Sequence, residues 1–223
     1  MLYLVPTPIG NLEDITLRAI RILKEVAFIL AEDTRHAKKL LQHYGIDTPV
    51  RPYHAHNEHH IVQGIVQQIK DGSQVALITD AGTPAISDPG FLLVRACLQA
   101  EAPLTCLPGP TAFVPALVMS GLPAHAFHFE GFLPHKKGRH TRVQQLAALE
   151  TTFILYESPF RLKKCLEELA AACGPDRMAC VCREISKMYE SHHTGPLSEL
   201  QALYAADAAA RGEIAIVVSG KSD

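Results

Sequence analysis

Residues 74–90 read QVALITDAGTPAISDPG, and this stretch decides the fold class. Its first part is a short apolar run, typical of a buried β-strand, and it ends at a polar loop rich in glycine and proline. A helical pattern begins at Pro89 and continues to residue 100. A strand, a loop and a helix in this order form the repeating unit of an α/β protein.

The same order of elements recurs along the chain. Further short apolar runs, which predict strands, lie at residues 2–5, 26–31, 103–107, 126–132, 151–156, 178–183 and 213–219. Helical patterns separate most of them, and the last of these helices is predicted at residues 196–208. The regular alternation of strand and helix patterns changes after Pro110, where Pro115 and Gly121 interrupt an apolar segment. We therefore predict two α/β domains, residues 1–115 and 116–223.

The composition restricts the class of protein. The chain has 223 residues, of which 48% are hydrophobic and 20% charged, and its formal net charge is −2. These values are typical of a globular protein and argue against nucleic-acid binding over the whole surface, so any RNA contact must come from a local patch. No apolar stretch approaches the roughly 20 residues that span a bilayer, and no secretory leader is visible. We expect a cytoplasmic protein without membrane contact.

Six loops predicted at strand ends are rich in glycine, proline or small polar residues. They are PTPIGNL (6–12), AEDTRHAKK (31–39), TDAGTPAISDPG (79–90), LPGPTA (107–112), YESPFR (156–161) and RGEIA (211–215). Ordinary turns explain any one of them, but ligands of open α/β sheets bind at the carboxyl ends of strands, so their recurrence predicts a ligand site. The chain contains neither a G-x-G-x-x-G nor a G-x-x-x-x-G-K-[ST] motif, which argues against a dinucleotide-dependent oxidoreductase and a P-loop NTPase.

Two polar segments leave alternatives open. The histidine-rich segment HAHNEHH (54–60) resembles a zinc ligand set, but no cysteine lies nearby and no H-E-x-x-H motif occurs. We therefore predict no metal site there and interpret the segment as the polar start of a helix. The basic segment HKKGRHTR (135–142) is either a solvated loop or a contact to the phosphates of RNA.

Several long motifs carry a resemblance to a known family. VPTPIGNLEDITLRA, AEDTRH, HNE, DAGTPAISDPG, LPGPTA, EGFLP, YESPFRL and GEIAIVV follow one another in the correct order between residue 2 and about residue 220. They resemble the tetrapyrrole-methylase-like superfamily and, within it, the small-subunit ribosomal RNA cytidine-2'-O-methyltransferases. Relatives of that family continue with a small C-terminal segment beyond the last matching strand.

The resemblance implies a fold, a cofactor and partners. These are two α/β domains with S-adenosylmethionine in the cleft between them, a homodimer, and a cytidine ribose of 16S rRNA in the 30S subunit as substrate. The family's cofactor contacts correspond here to Pro8, Asp80, Gly82, Thr83, Ala85, Ile86, Ser87, Leu107, Pro108, Tyr156, Arg183, Glu184, Glu213, Ile214 and Ala215.

Methylation of a ribose hydroxyl needs a group that assists loss of the hydroxyl proton. Glu32, His54 and His56 are candidates, and we select Asp33, Asn57 and Glu157 as the predicted catalytic residues. Asp33 is equally well placed to cap the helix after it, and Asn57 also precedes a helical pattern. Predicted RNA contacts are Arg35, Lys136, Lys137 and Arg139.

Other functions remain possible from the sequence. A methylase of the same fold could act on a tetrapyrrole or another small molecule, although such a substrate does not require the external basic segment. A metal-dependent hydrolase built on the histidine-rich segment and a non-catalytic RNA-binding protein belong to other classes. Zinc content and binding to 30S particles discriminate these alternatives.

Overall fold

The computed structural model describes residues 1–206 and 212–221 of the chain. It divides into two compact units, Met1–Thr111 and Ala112–Asp223. The predicted boundary after residue 115 lies inside a helix, Phe113–Ser120, that belongs to the second unit, so the division falls a few residues earlier than predicted.

The first unit is built on a five-stranded parallel sheet. Its strands are β1 (Leu2–Leu4), β2 (Phe28–Ala31), β3 (Val50–Pro52), β4 (Val75–Ile78) and β5 (Leu104–Cys106). Their order in the sheet is β3-β2-β4-β1-β5. Four helices connect them: α1 (Leu17–Glu25), α2 (Thr34–His43), α3 (Glu58–Lys70) and α4 (Phe91–Gln99).

Helices cover both faces of this sheet, and the alternation of side chains along each strand explains why. In β2, Ile29 packs in a core with residues of α1 and α2, whereas Leu30 packs in a second core with residues of α3 and α4. All four residues of β4 are buried. A strand buried on both faces reads as a continuous apolar run, which is why the sequence predicts β4 so clearly.

The second unit combines a mixed sheet with helices. Its elements are α5 (Phe113–Ser120), β6 (Phe127–Phe132), α6 (Arg139–Ala147), β7 (Thr152–Glu157), α7 (Leu162–Cys173), β8 (Met178–Arg183), β9 (Ser191–Pro196), α8 (Leu197–Ala206) and β10 (Ile214–Val218). The strand order is β6-β7-β10-β8-β9. Strands β6 and β7 are parallel, and the other pairs are antiparallel. Residues of α6, α7 and α8 pack in one core, and α5 packs in another.

The predicted α/β fold is confirmed, and the structure shows two sheets in which the sequence analysis missed two strands. These are β3 and β9, and each is an edge strand. Residues 207 and 208 of the last predicted helix and residue 211 of the loop RGEIA lie outside the described residues. No helix in the described part of the chain is both long and apolar enough to cross a membrane.

Candidate active site

Four of the predicted loops lie at one edge of the first sheet. They follow β1, β2, β4 and β5, and because these strands are parallel their carboxyl ends meet at the same edge. Hydrogen bonds join the loops directly. The backbone groups of Thr7 and Gly82 exchange two hydrogen bonds of 2.9 Å, and the hydroxyl of Thr83 donates to the Pro110 carbonyl at 3.0 Å.

Tight backbone geometry holds these loops in place. A Cβ at Gly109 would lie 2.7 Å from Cβ of Pro6, so only glycine allows the two loops to approach this closely. Ala85 and Ser87 have φ angles of 69° and 64°, in the left-handed region that residues with a Cβ rarely adopt. Backbone strain of this kind clusters at ligand sites, which agrees with the cofactor role that the sequence predicts for this loop.

The predicted cofactor residues of the first unit differ in what they can offer a ligand. Asp80, Ile86, Ser87 and Pro108 are exposed, and Pro8, Thr83 and Ala85 are half-buried. Gly82 and Leu107 are buried, and the side chain of Leu107 packs in the core between the sheet and helices α1 and α2. At those two positions a ligand can therefore use only backbone groups.

Asp33 acts as a helix cap. Its carboxylate accepts the backbone N–H of Arg35 at 2.8 Å and two guanidinium hydrogen bonds from Arg35, at 2.7 and 3.1 Å. These hydrogen bonds hold the pKa of Asp33 well below its usual range. A carboxylate with such a low pKa is a poor proton acceptor, so the geometry favours the cap over the catalytic role.

Asn57 holds the turn between β3 and α3. Its side-chain amide donates to the Pro52 carbonyl at 3.1 Å, and its side-chain oxygen accepts the backbone N–H of His54 at 2.8 Å. A neutral amide engaged on both sides has no capacity to take up a proton. The structure therefore gives Asn57 a structural role in this turn.

The predicted cofactor residues of the second unit lie at one edge of its sheet, although not all of them follow a strand as the sequence analysis predicts. The loop RGEIA leads into β10 instead of following a strand, which corrects the sequence analysis. Antiparallel pairing compensates, because Ile214 lies opposite Arg183 and Ala215 lies opposite Tyr156. The start of β10 therefore adjoins the ends of β7 and β8.

These residues are firmly anchored. The hydroxyl of Tyr156 accepts the backbone N–H of Phe113 at 3.1 Å. The Glu184 carboxylate accepts the backbone N–H of Glu213 and the Lys187 ammonium, each at 2.8 Å. Burial tends to raise the pKa of Glu184, but these two hydrogen bonds outweigh it and lower the pKa. Ile214 and Ala215 are buried, so a ligand can contact only their backbone groups.

Glu157 belongs to a buried ion network. Its side chain is 1% exposed and accepts hydrogen bonds from Arg139 at 2.9 Å, from Arg161 at 2.7 Å and from the backbone N–H of Ser158 at 2.7 Å. Burial acts to raise the pKa of Glu157, but the three hydrogen bonds prevail and lower it. A carboxylate that two arginines hold in its ionised form is a poor general base.

The same network corrects the prediction for Arg139. Its side chain is only 6% exposed, because it lies between Glu157 and Glu168 and donates to both. It therefore has no free face for an RNA phosphate. Lys136 and Lys137 are exposed, as a phosphate contact requires, and Arg35 is 89% exposed beside Asp33.

The histidine-rich segment does not form a metal site in the structure. Among the described residues, no group of three or more His, Cys, Asp or Glu side chains is placed to bind a metal ion. His59 and His60 lie exposed at the start of α3. The donor set that a zinc-dependent hydrolase requires is therefore not assembled in this part of the chain.

Comparison with known families assigns the class of protein. The model of the tetrapyrrole (corrin/porphyrin) methylases matches residues 1–201. The chain belongs to this family, as the motifs at the strand ends led us to expect.

Individual relatives within this family are similar to the chain over its full length. The chain is 47% identical to the ribosomal RNA small subunit methyltransferase I of Xylella fastidiosa, over 100% of this chain and 82% of the relative. It is 44% identical to the protein of the same name from Vibrio cholerae, over 100% of this chain and 78% of the relative.

Solved structures share the fold at much lower identity. The methyltransferase CobJ superposes with a TM-score of 0.72 at 18% identity, over 98% of this chain and 93% of CobJ. A uroporphyrin-III C-methyltransferase from Thermus thermophilus complexed with S-adenosylhomocysteine superposes with a TM-score of 0.66 at 21% identity, over 97% and 96% of the two chains. These likenesses confirm the fold alone.

Proposed function

We propose that the protein transfers the methyl group of S-adenosylmethionine to the ribose 2'-hydroxyl of a cytidine in 16S rRNA. The observation that carries the proposal is the set of four loops at the carboxyl edge of the first sheet, joined by the hydrogen bonds of Thr7, Gly82 and Thr83. Relatives at 44–47% identity are named ribosomal RNA small subunit methyltransferases. This degree of identity over the full chain supports small-subunit rRNA as the substrate.

The site is suited to a nucleoside ligand. It offers exposed acceptors at Asp80 and Ser87 beside loops whose backbone is held rigidly. When bound, S-adenosylmethionine supplies an activated methyl group, because its sulfonium leaves as a neutral thioether. We assign cofactor binding to Pro8, Asp80, Gly82, Thr83, Ala85, Ile86, Ser87, Leu107, Pro108, Tyr156, Arg183, Glu184, Glu213, Ile214 and Ala215.

The chain's own residues have three tasks in this reaction. They must align the ribose oxygen with the methyl group, keep bulk water away and take up the hydroxyl proton. Alignment alone can lower the barrier by about 7–11 kcal/mol in favourable intramolecular systems. We assign RNA contacts to Arg35, Lys136 and Lys137, whose exposed positive charges suit phosphates. The proposed partner is the 30S subunit in the cytoplasm, and the proposed assembly is a homodimer.

A methylase for a tetrapyrrole or another small molecule is the rival function within this fold. The uroporphyrin-III C-methyltransferase of Thermus thermophilus is 21% identical to this chain, whereas the rRNA methyltransferases are 44–47% identical. The exposed lysines of the segment 135–142 also favour an RNA substrate, since a small-molecule pocket does not need them.

Calorimetric titration with S-adenosylmethionine, followed by transfer of its tritiated methyl group to 30S particles, tests the proposal. We expect saturable micromolar binding and incorporation at one cytidine ribose, located by mass spectrometry of rRNA fragments. Pro108→Trp should abolish cofactor binding. Pro103→Trp is the matched control, because Pro103 is also exposed but precedes β5, at the opposite end of the strand from the cofactor loops. Folded protein that binds no S-adenosylmethionine, or that labels no RNA, would contradict the proposal.

A further inference from the structure

Three neighbouring strands of the first sheet end side by side next to the cofactor loops. Ala31, the last residue of β2, pairs with Pro52 of β3 and with Ile78 of β4. The loops that follow place Glu32, His54 and Asp80 at the same edge of the sheet. The backbone N–H of Asp33 donates to Asp80 Oδ1 at 3.2 Å, which ties two of these loops together.

Glu32 differs from the carboxylates around it because no hydrogen bond or ion pair to a described residue engages it. Asp33 is occupied by Arg35, and Asp80 accepts the N–H of Asp33. Glu32 is half-buried, yet it accepts no hydrogen bond and forms no ion pair with any residue that the structure describes. Its position at the ligand edge of an α/β sheet leaves this carboxylate available to accept a hydrogen bond from a ligand.

Burial and the neighbouring carboxylates together favour the protonated form of Glu32. Burial raises its pKa, and the neighbouring carboxylates of Asp80 and Asp33 raise it further, while His54 acts in the opposite direction. A carboxylate with a raised pKa binds a proton more strongly than an ordinary one, which is the property that a general base requires.

His54 provides a second, independent indication of a ligand. Its ring atom Nδ1 is buried and has no hydrogen-bond partner among the described residues. The backbone N–H of His54 donates to the side-chain oxygen of Asn57, which fixes this residue at the sheet edge. An unsatisfied ring nitrogen and an unpartnered carboxylate together suit a hydroxyl group, which both donates and accepts hydrogen bonds.

We propose that Glu32 accepts the proton of the substrate hydroxyl during methyl transfer and that His54 binds the same substrate. This inference rests on the proposed function. In the reaction the ribose oxygen forms a bond to the methyl carbon as the carbon–sulfur bond breaks. The electron pair of the broken carbon–sulfur bond stays on the sulfur. The hydroxyl proton passes to the Glu32 carboxylate and from there to water. Asp33, the adjacent residue, takes no part in this proton transfer.

Glu32→Gln tests the role, because it keeps the shape of the side chain and removes the basic oxygen. We expect kcat to fall by about 10²–10⁴-fold, the usual contribution of a general base. The rise of kcat with pH on the acidic side of the wild-type profile should disappear, while the Kd for S-adenosylmethionine stays unchanged. Glu32→Asp should keep the acidic limb with a lower kcat. Glu25→Gln is the control, since Glu25 lies in α1 in an exposed pair with Arg21 and should leave every constant unchanged.

A thermal melt of the protein without ligands separates a catalytic role from a structural one. The raised pKa means that the folded state holds the Glu32 proton to a higher pH than the unfolded chain does. Ionisation of Glu32 therefore lowers stability as the pH rises through its folded pKa. We expect Glu32→Gln to melt at the wild-type Tm in acid and at or above it near pH 8. A residue needed only for structure would lower Tm on substitution.

The possible results distinguish failure of the Glu32 proposal from failure of the proposed function. If Glu32→Gln keeps a normal kcat and an intact acidic limb while the wild type is active, the role of Glu32 is refuted. The proposed function is not affected by that result. A loss of activity accompanied by a lower Tm near pH 8 would also overturn the Glu32 proposal in favour of a structural role. A wild type that binds no S-adenosylmethionine and transfers no methyl group would refute the proposed function itself.

Discussion

Replacement of Arg139 by methionine tests whether this residue stabilises the second unit or binds RNA. The guanidinium donates to Glu168 at 2.6 Å, to Glu157 at 2.9 Å and to the Pro134 carbonyl at 3.4 Å. Methionine preserves much of the apolar stem but leaves the buried Glu157 carboxylate with one cation fewer.

The expected loss follows from burial. Removal of one partner from a buried ion pair typically destabilises a protein by about 3–5 kcal/mol. Glu157 still accepts hydrogen bonds from Arg161 and from the Ser158 N–H, so the lower end applies. We expect Arg139→Met to lower the free energy of unfolding by about 3 kcal/mol. Since 1 kcal/mol corresponds to roughly 2–4 °C in a protein of this size, Tm should fall by roughly 6–12 °C.

Urea unfolding followed by circular dichroism measures the loss, and fluorescence anisotropy with single-stranded RNA measures binding at a temperature where the variant is folded. Lys137→Met is the matched control, because it removes one exposed charge from the same segment and should change stability by no more than about 0.5 kcal/mol. RNA affinity should fall in Lys137→Met but not in Arg139→Met. Wild-type stability combined with weaker RNA binding in Arg139→Met would refute the reasoning.

Two further predictions concern the basic segment and the contact between the loops 6–12 and 107–112. The double variant Lys136→Glu/Lys137→Glu should weaken RNA binding and reduce the magnitude of its log–log salt slope by about 0.7 per lost contact, without changing affinity for S-adenosylmethionine; unchanged RNA affinity would contradict this. Gly109→Ala should lower the free energy of unfolding by about 1–3 kcal/mol and weaken cofactor binding, because the new Cβ would lie 2.7 Å from Pro6. Gly64→Ala in α3 is the control, because an added Cβ there meets no atom within 4 Å, and it should preserve cofactor binding. Equal stability and equal cofactor affinity of the two variants would contradict the argument from the close approach of Gly109 to Pro6.

The sequence predicts the fully buried strands clearly, and the two strands that it misses, β3 and β9, both lie at a sheet edge. Each residue of β4 and β10 is buried, so these strands appear as continuous apolar runs. Strand β3 is the short segment VRP, and β9 is the polar segment SHHTGP. These two strands lack an apolar run, and their pairing with a single neighbour rests on backbone hydrogen bonds that the side-chain pattern does not reveal.

The direction of a strand and the pairing of charges distant in the chain cannot be predicted from the local sequence. The loop RGEIA joins the site because β10 runs antiparallel to β7 and β8, and this depends on the topology of the whole sheet. Glu157 meets Arg139 through a contact 18 residues apart in the chain. The sequence contains both residues in conspicuous motifs, but it does not indicate that each neutralises the other inside the protein.

The contrast between Glu32 and Asp33 shows how local structure assigns different roles to adjacent carboxylates. Asp33 stands at the first turn of α2, where backbone N–H groups and Arg35 stabilise its negative charge, and its pKa is lowered. Glu32, one residue earlier, lies outside the helix beside Asp80, no described residue donates a hydrogen bond to it, and its pKa is raised. Opposite shifts of this kind separate a structural acid from a catalytic base. Substitution at Asp33 should therefore affect mainly the stability of α2, whereas substitution at Glu32 should affect mainly kcat.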